Sequence, residues 1–208
     1  MSEDKVKKQK TVKLNKKGRP KTHHLRVFFL CLLAALVVVT FGYIYLQPTL
    51  AINGFKRSII SGKATGSPVP VNTMATVPDI ASPGTTTTVM TTGNQDTLYS
   101  GAWLDLRQGP LVLTVPDMGD RYYAIQFSNP KDGRASNYVG SRATGNKAGT
   151  YLLTGPGYSG DVPTGMTQVS MPNNQMLLLA RVYVADEADV PAVRALSEQI
   201  TLTPLGTQ

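Results

Sequence analysis

Histidine and cysteine, the side chains most used for general-base and nucleophilic chemistry near neutral pH, are confined to the start of the chain. His23 and His24 lie in a basic stretch and Cys31 in the apolar run behind it. Everything after Cys31 lacks an imidazole or thiol. A Ser-His-Asp or Cys-His arrangement and a Cys/His zinc site are therefore excluded there within one chain. An intrachain disulfide is excluded too, because Cys31 is the sole cysteine. What remains is the chemistry of carboxylates, hydroxyls, amides and guanidinium groups. Its densest concentration is Asn94, Asp96, Thr97 and Tyr99, with Arg121, Tyr122, Tyr123, Arg142 and Arg181 further along. The candidate ligand-binding set is Asn94, Asp96, Tyr99, Arg121 and Arg181. Asp96 would accept hydrogen bonds, Tyr99 would give an aromatic wall with a hydroxyl, and Arg121 or Arg181 would contact an anion. The competing role is structural: Asn94 and Asp96 turn the chain into a sheet, and an arginine is held by a carboxylate such as Asp105. The structural role is favoured, since turns and pairing account for all of these residue types. Trp103 is likewise expected as a core or inter-sheet anchor rather than a ligand platform.

Metal-assisted hydrolysis or glycoside cleavage would need convergent carboxylates. Asp96, Asp105, Asp117, Asp120, Asp132 and Asp161 are candidates, but most stand beside Gly or Pro in turns, where Asp serves the backbone. Calcium is the metal that oxygen-only ligands would suit, and no EF-type spacing is present. No metal and no cofactor is expected.

The 208 residues carry a formal charge of +8. Residues 1–26 hold ten basic and two acidic residues, which is +8, and residues 27–208 hold 11 of each, which is zero. The excess charge is thus a property of a tail, expected to be disordered because it has almost nothing to bury. Lys17-Gly18-Arg19-Pro20-Lys21 resembles the Gly-Arg-Pro core of an AT-hook, a DNA minor-groove peptide, with partly matching flanks. Anionic headgroups are the closer partner, at about 1 kcal/mol per basic residue near the surface, and nucleic acid is not an expected one.

Val27 to Leu46 follows without a charge, twenty residues that would span about 30 Å as a helix. A transmembrane helix over 27–46 is expected. Tyr43 and Tyr45 stand at its far end, and the basic tail places the N-terminus in the cytoplasm by the positive-inside rule. A signal peptide cleaved near Thr49-Leu50-Ala51 is the competing reading. Its apolar region would normally be about 7–15 residues, so the uncleaved anchor is favoured.

Residues 47–93, rich in Pro and Thr, read as a linker, with a weak helical signal from Gln47 to Lys63 and a candidate edge strand at Thr86–Met90. From Asn94 to Leu205 short β-rich runs alternate with Gly and Pro turns: 99–106, 111–115, 122–127, 136–141, 150–154, 166–170, 176–184 and 200–205. In the first, Ala102, Leu104 and Leu106 would share one face and Trp103 and Asp105 the other. One helix is expected near Val190–Ile200, with Asp186 to Asp189 as capping candidates and Pro191 in its first turn. The expected class is all-β, an Ig-like β-sandwich ectodomain with one short helix near the C-terminus, plus the N-terminal transmembrane helix.

Residues 94–100 (Asn-Gln-Asp-Thr-Leu-Tyr-Ser), then Ala102-Trp103-Leu104-Asp105-Leu106, Gly109-Pro110, Thr114-Val115-Pro116-Asp117 and Arg121-Tyr122-Tyr123 resemble the bacterial domain of unknown function 1254 family. Tyr151-Leu152, Gly155-Pro156-Gly157-Tyr158, Pro163, Gly165, Arg181, the helix at Asp189 and Leu202-Thr203-Pro204-Leu205 continue the likeness in order, over roughly residues 92–205. The resemblance implies a β-sandwich, in many relatives followed on the same chain by a 1214-family domain, and it implies no defined activity. Here the chain ends at Gln208, so a separate 1214-family protein is an expected partner. After Phe127 the chain departs from the pattern: Ser128 to Gly133 stands where relatives often carry an Asp in an aromatic, Asn-rich loop.

The functional expectation is a single-pass protein of the bacterial inner membrane whose periplasmic or extracellular domain is a binding or assembly module pairing with an envelope protein. The alternative is an envelope enzyme acting on a small molecule or glycan with Asp, Tyr and Arg groups. That alternative predicts a concave pocket where two carboxylates, or a carboxylate and an arginine, converge, and it loses support if Asp96, Arg121 and Arg181 are dispersed or consumed in turns and ion pairs.

Overall fold

The computed structural model describes residues 21–63, 67–77, 80, 96–130 and 132–206. The basic stretch before Lys21, the edge strand expected at Thr86–Met90 and Asn94 lie outside the described residues. The chain divides into two units, Met1–Gln47 and Pro48–Gln208.

Helix α1 runs from Lys21 to Ile60. Within the first unit it contains His24–Gln47, 24 apolar-rich residues, none of them buried by protein. At 1.5 Å per residue this is about 36 Å, enough to cross a bilayer. Phe28, Leu30, Leu33, Val38, Phe41 and Ile44 are all exposed. Apolar side chains on every side of an unpacked helix suit a hydrocarbon solvent. The helix continues 14 residues beyond the expected end at Leu46. Lys21 to Arg26 also belong to it, so that part of the tail is helical rather than disordered.

The second unit is mostly β-sheet. Its strands are β1 (Ala75–Thr76), β2 (Thr97–Asp105), β3 (Leu111–Val115), β4 (Tyr123–Ser128), β5 (Ala135–Gly140), β6 (Gly149–Thr154), β7 (Met166–Ser170), β8 (Gln175–Tyr183) and β9 (Thr201–Pro204), with helix α2 (Val190–Ser197) before the last. They form a five-stranded sheet, β1-β2-β8-β4-β5, and a four-stranded sheet, β7-β6-β3-β9. Neighbours are antiparallel except β6 and β7, which are parallel. One hydrophobic cluster draws Leu98, Leu104, Ile125, Phe127 and Leu178 from the first sheet and Leu113, Val115 and Leu153 from the second. Each such side chain contributes about 1.5–3 kcal/mol through burial. Alternation sets the faces: in β2, Leu98, Ser100, Ala102 and Leu104 are all buried. Ser100 is tolerated there because its hydroxyl meets that of Thr76 at 3.0 Å.

Trp103 has the opposite parity, as the sequence implies, and packs on the outward face with Val69, Leu177, Ile52 and Ala75. It is an anchor, though not one between the sheets. The stretch read as a linker therefore supplies cover: Ile52 of α1 and Val69 pack on this end of the sheet, and β1 extends the sheet beside β2. Asn72 fixes them, its side chain bonding Asp105 O at 3.0 Å and receiving Asp105 N–H at 2.7 Å. Helix α2 buries Val190 and Val193 and has Pro191 in its first turn.

Candidate functional site

Register decides which of the expected site residues meet. On β2, β8, β4 and β5, Tyr99 stands opposite Arg181, Arg181 opposite Ala124 and Ala124 opposite Gly140. The next outward row is Gly101, Leu179, Gln126 and Tyr138. Directly opposed side chains are about 4.5–5.5 Å apart at Cβ, so these residues interact across strands. Arg181 Cζ lies 5.5 Å from the Tyr99 ring centroid, a cation–π distance. Its Nη1 donates to Gln126 Oε1 at 3.4 Å, and Gln126 Nε2 donates to Ser128 Oγ at 2.8 Å. Tyr99 and Arg181 are both half-buried. The ion pairs among the described residues are Arg107–Asp105, Arg121–Asp189 and Lys147–Asp117. Arg181 is in none of them.

Beyond this row Tyr183 N–H donates to Tyr122 O at 2.9 Å, which brings those two rings onto the same face. Arg142, in the turn after β5, places its Cζ 5.8 Å from the Tyr122 ring centroid. The open end of the first sheet thus presents Tyr99, Arg181, Gln126, Tyr122, Tyr183 and Tyr138. No carboxylate belongs to these rows. Tyr123 does not join them: it is buried on the inner face, its hydroxyl donates to Gly145 O at 3.1 Å, and burial pushes its pKa up.

Arg121 has a different task. Its Nη1 and Nη2 donate to the Asp189 carboxylate at 2.6 and 3.0 Å, and Nη1 also donates to Tyr183 O at 2.7 Å. Asp189 accepts Ala185 N–H at 3.0 Å as well. Arg121 first, and that backbone N–H second, hold the Asp189 carboxyl below its ordinary pKa. This cluster ties the chain between β8 and α2 to the start of β4. Asp96 sits at the start of β2, where its carbonyl accepts Val184 N–H at 2.8 Å. The structure therefore brings Tyr99 and Arg181 together, gives Arg121 to Asp189, and leaves Asn94 outside the described residues.

The expected partner of an arginine, Asp105, is taken by its near neighbour: Arg107 Nε donates to it at 2.8 Å and Arg107 Nη2 bonds its other oxygen. Asp105 also accepts Arg107 N–H, opening the 3-10 turn Leu106–Gln108. The Arg107 contact, together with that N–H, lowers the Asp105 pKa to about 2 against the opposing effect of burial. Asp117 accepts Gly119 N–H at 2.8 Å and Asp132 accepts Arg134 N–H at 3.0 Å, so both carboxylates serve turns. Among the described residues no group of three or more His, Cys, Asp or Glu is placed to hold a metal ion.

Sequence reasoning missed Gln126, Tyr138 and Tyr183 as members of the face. An alternating strand does show which residues point outward. Which strands lie side by side depends on the sheet order, and no local signal carries that.

Among solved structures, the chain resembles the VPA0106 protein from Vibrio parahaemolyticus, with a TM-score of 0.58 at 22% identity over 78% of this chain and 36% of that one. A putative uncharacterized protein from Burkholderia cenocepacia matches with a TM-score of 0.40 at 16% identity, covering 72% of this chain and 38% of that one. The chain thus spans little more than a third of the length of these proteins, and the first likeness concerns fold alone. No curated protein matches the sequence. The family model for proteins of unknown function DUF1254 matches residues 71–204, starting just before β1 rather than near residue 92. The chain belongs to the DUF1254 family.

Proposed function

We propose that this chain is a single-pass protein of the bacterial inner membrane, with its N-terminus in the cytoplasm, whose two sheets form an Ig-like β-sandwich acting in the periplasm or outside as a binding or assembly module. One observation carries the reading: Arg181, half-buried between Tyr99 and Gln126, has no carboxylate partner among the described residues and lies on a sheet face rich in tyrosine. The donors of Arg181 that Gln126 does not take are open to another molecule, whereas in Arg121 the same group is spent on the fold. Support for the anchor is the 24-residue apolar-rich segment behind a tail of nine basic residues. The partner is an envelope protein, a 1214-family polypeptide among them. The enzyme alternative finds one of its two candidate arginines, Arg121, already held by Asp189.

The test is photo-crosslinking in intact cells from a reactive amino acid replacing Tyr138, with Thr167 on β7 as the control position. A discrete adduct from position 138, absent from 167 and degraded by protease added to spheroplasts, is expected. No adduct, or one that protease cannot reach before lysis, contradicts the reading.

A further inference from the structure

We infer that the open face of the five-stranded sheet docks a partner protein through carboxylates, which Arg181 and Arg142 receive while Tyr122, Tyr138 and Tyr183 supply contact area. The inference rests on the binding role above and names the chemistry of what is bound.

The charge argument comes first. The two rows at this end, Tyr99–Arg181–Ala124–Gly140 and Gly101–Leu179–Gln126–Tyr138, contain Arg181 and no Asp or Glu, Arg142 stands beside them over Tyr122, and the outward Asp105 lies at the other end of β2, held by Arg107. Gln126 takes one donor of the Arg181 fork, and the described residues take none of the others. Arg142 is exposed and makes no ion pair among the described residues. Both guanidinium groups lie over tyrosine rings. A planar fork held in that way is pre-organised for a bidentate carboxylate and loses little freedom on binding.

Spacing then separates a protein from smaller anions. Arg181 is on β8 and Arg142 follows β5, two strands across the sheet. At about 4.8 Å per strand their backbones stand roughly 10 Å apart, each guanidinium over its own tyrosine ring, a spread that suits two carboxylates on one polypeptide. Ala124 and Gly140 continue the Arg181 row as a low floor between the rings, and small-molecule sites are concave rather than flat. An anionic bilayer recruits clusters of several Lys and Arg, whereas here two arginines stand among four tyrosines. Tyr and Arg without Lys, Asp or Glu is the composition of protein-interface hot spots.

The opposite end of the same face gives a precedent within the molecule. There Trp103 is covered by Ile52, Val69 and Ala75, and Lys56 Nζ lies 4.8 Å from its ring centroid. An aromatic and a cation on this face thus already form a seat for a polypeptide.

The full chain in nanodiscs of neutral lipid is titrated with a fluorescent peptide built on Glu-Ser-Glu, whose acids share one side of an extended chain about 7 Å apart. Saturable binding is expected, weakened roughly tenfold by Arg181→Gln and by Arg142→Gln and unchanged by Lys147→Gln. Arg181→Lys, which keeps the charge but not the fork, is expected to fall between wild type and Arg181→Gln. Trp103 emission checks that each variant stays folded. Absence of binding, equal loss from all three Gln substitutions, or equally good binding of the Gln-Ser-Gln peptide overturns the inference. So does displacement of the peptide by inorganic phosphate or phosphatidylglycerol vesicles at equal charge. An adduct from position 138 that survives Arg181→Gln refutes this chemistry while leaving the binding role standing, and absence of any adduct removes the role itself.

Discussion

Two aromatic–cation pairs occupy the same outward face of the five-stranded sheet and meet different fates. At one end Lys56 stands over Trp103, and residues from α1, Val69 and β1 close over the indole until it is 1% exposed. At the other end Arg181 stands over Tyr99, both half-buried, while Tyr138 and Tyr183 remain 54% and 41% exposed. The chain supplies its own cover for the first pair, and the described residues supply none for the second. Burial of Trp103 is part of the folding free energy. On the proposed binding role, burial of the tyrosines around Arg181 would be free energy for association.

Truncation at the covered end should have the largest effect. Trp103→Ala is expected to cost about 3–5 kcal/mol in denaturant unfolding, against no more than about 1 kcal/mol for Tyr99→Ala. Equal costs would erase the distinction between the two ends. Trp103→Phe separates area from polarity: its indole Nε1 is buried with no hydrogen-bond partner among the described residues. Removing that N–H relieves a desolvation penalty, so the swap should cost under about 1.5 kcal/mol.

Next comes the clamp beside the open end. Arg121→Ala removes two hydrogen bonds to Asp189 and one to Tyr183 O, and a fall in Tm of several degrees is expected with crosslinking from position 138 retained. Loss of crosslinking with an unchanged Tm would make Arg121 a ligand contact instead.

Lys56→Ala is expected to cost about 0.5–1 kcal/mol and to shift the emission of Trp103, the sole tryptophan, to the red. The smallest effect belongs to Arg107, whose side chain is 64% exposed. The Asp105 pKa is lowered from 3.8 to about 2, so the pair stabilises the fold fully above about pH 4. That contribution is lost as pH falls through about 2. The Tm difference between wild type and Arg107→Ala should therefore be constant above pH 4 and vanish towards pH 2; a difference that grows on acidification contradicts the pairing.

Much of the sheet was readable in advance because one face of each strand is buried. The expected runs 111–115 and 166–170 coincide with β3 and β7, and the opposed faces of Trp103 and Leu104 follow from the period of two. The end of α1 was only weakly readable, as a helical signal from Gln47 to Lys63. Pro48 and Gly54 carry local penalties that argue against a helix, yet α1 reaches Ile60, where Ile52 and Lys56 gain contacts with Trp103. β1 escaped for a similar reason, since two residues carry no pattern and pair only because β2 offers an edge. At the site, Arg121 and Arg181 look alike in sequence. What separates them is a partner 68 residues from Arg121 in one case and a neighbouring strand's Tyr99 in the other.

The central claim, that the Arg181 end of the sheet is covered by another protein, is tested most directly by hydroxyl-radical footprinting of the full chain. Oxidation of Tyr138 and Tyr183 is compared between native membranes and purified protein in nanodiscs, with Tyr158 as the reference. Protection of Tyr138 and Tyr183 in native membranes, lost in the purified protein and unmatched at Tyr158, is the predicted result. Equal oxidation of Tyr138 and Tyr183 in the two settings would contradict it.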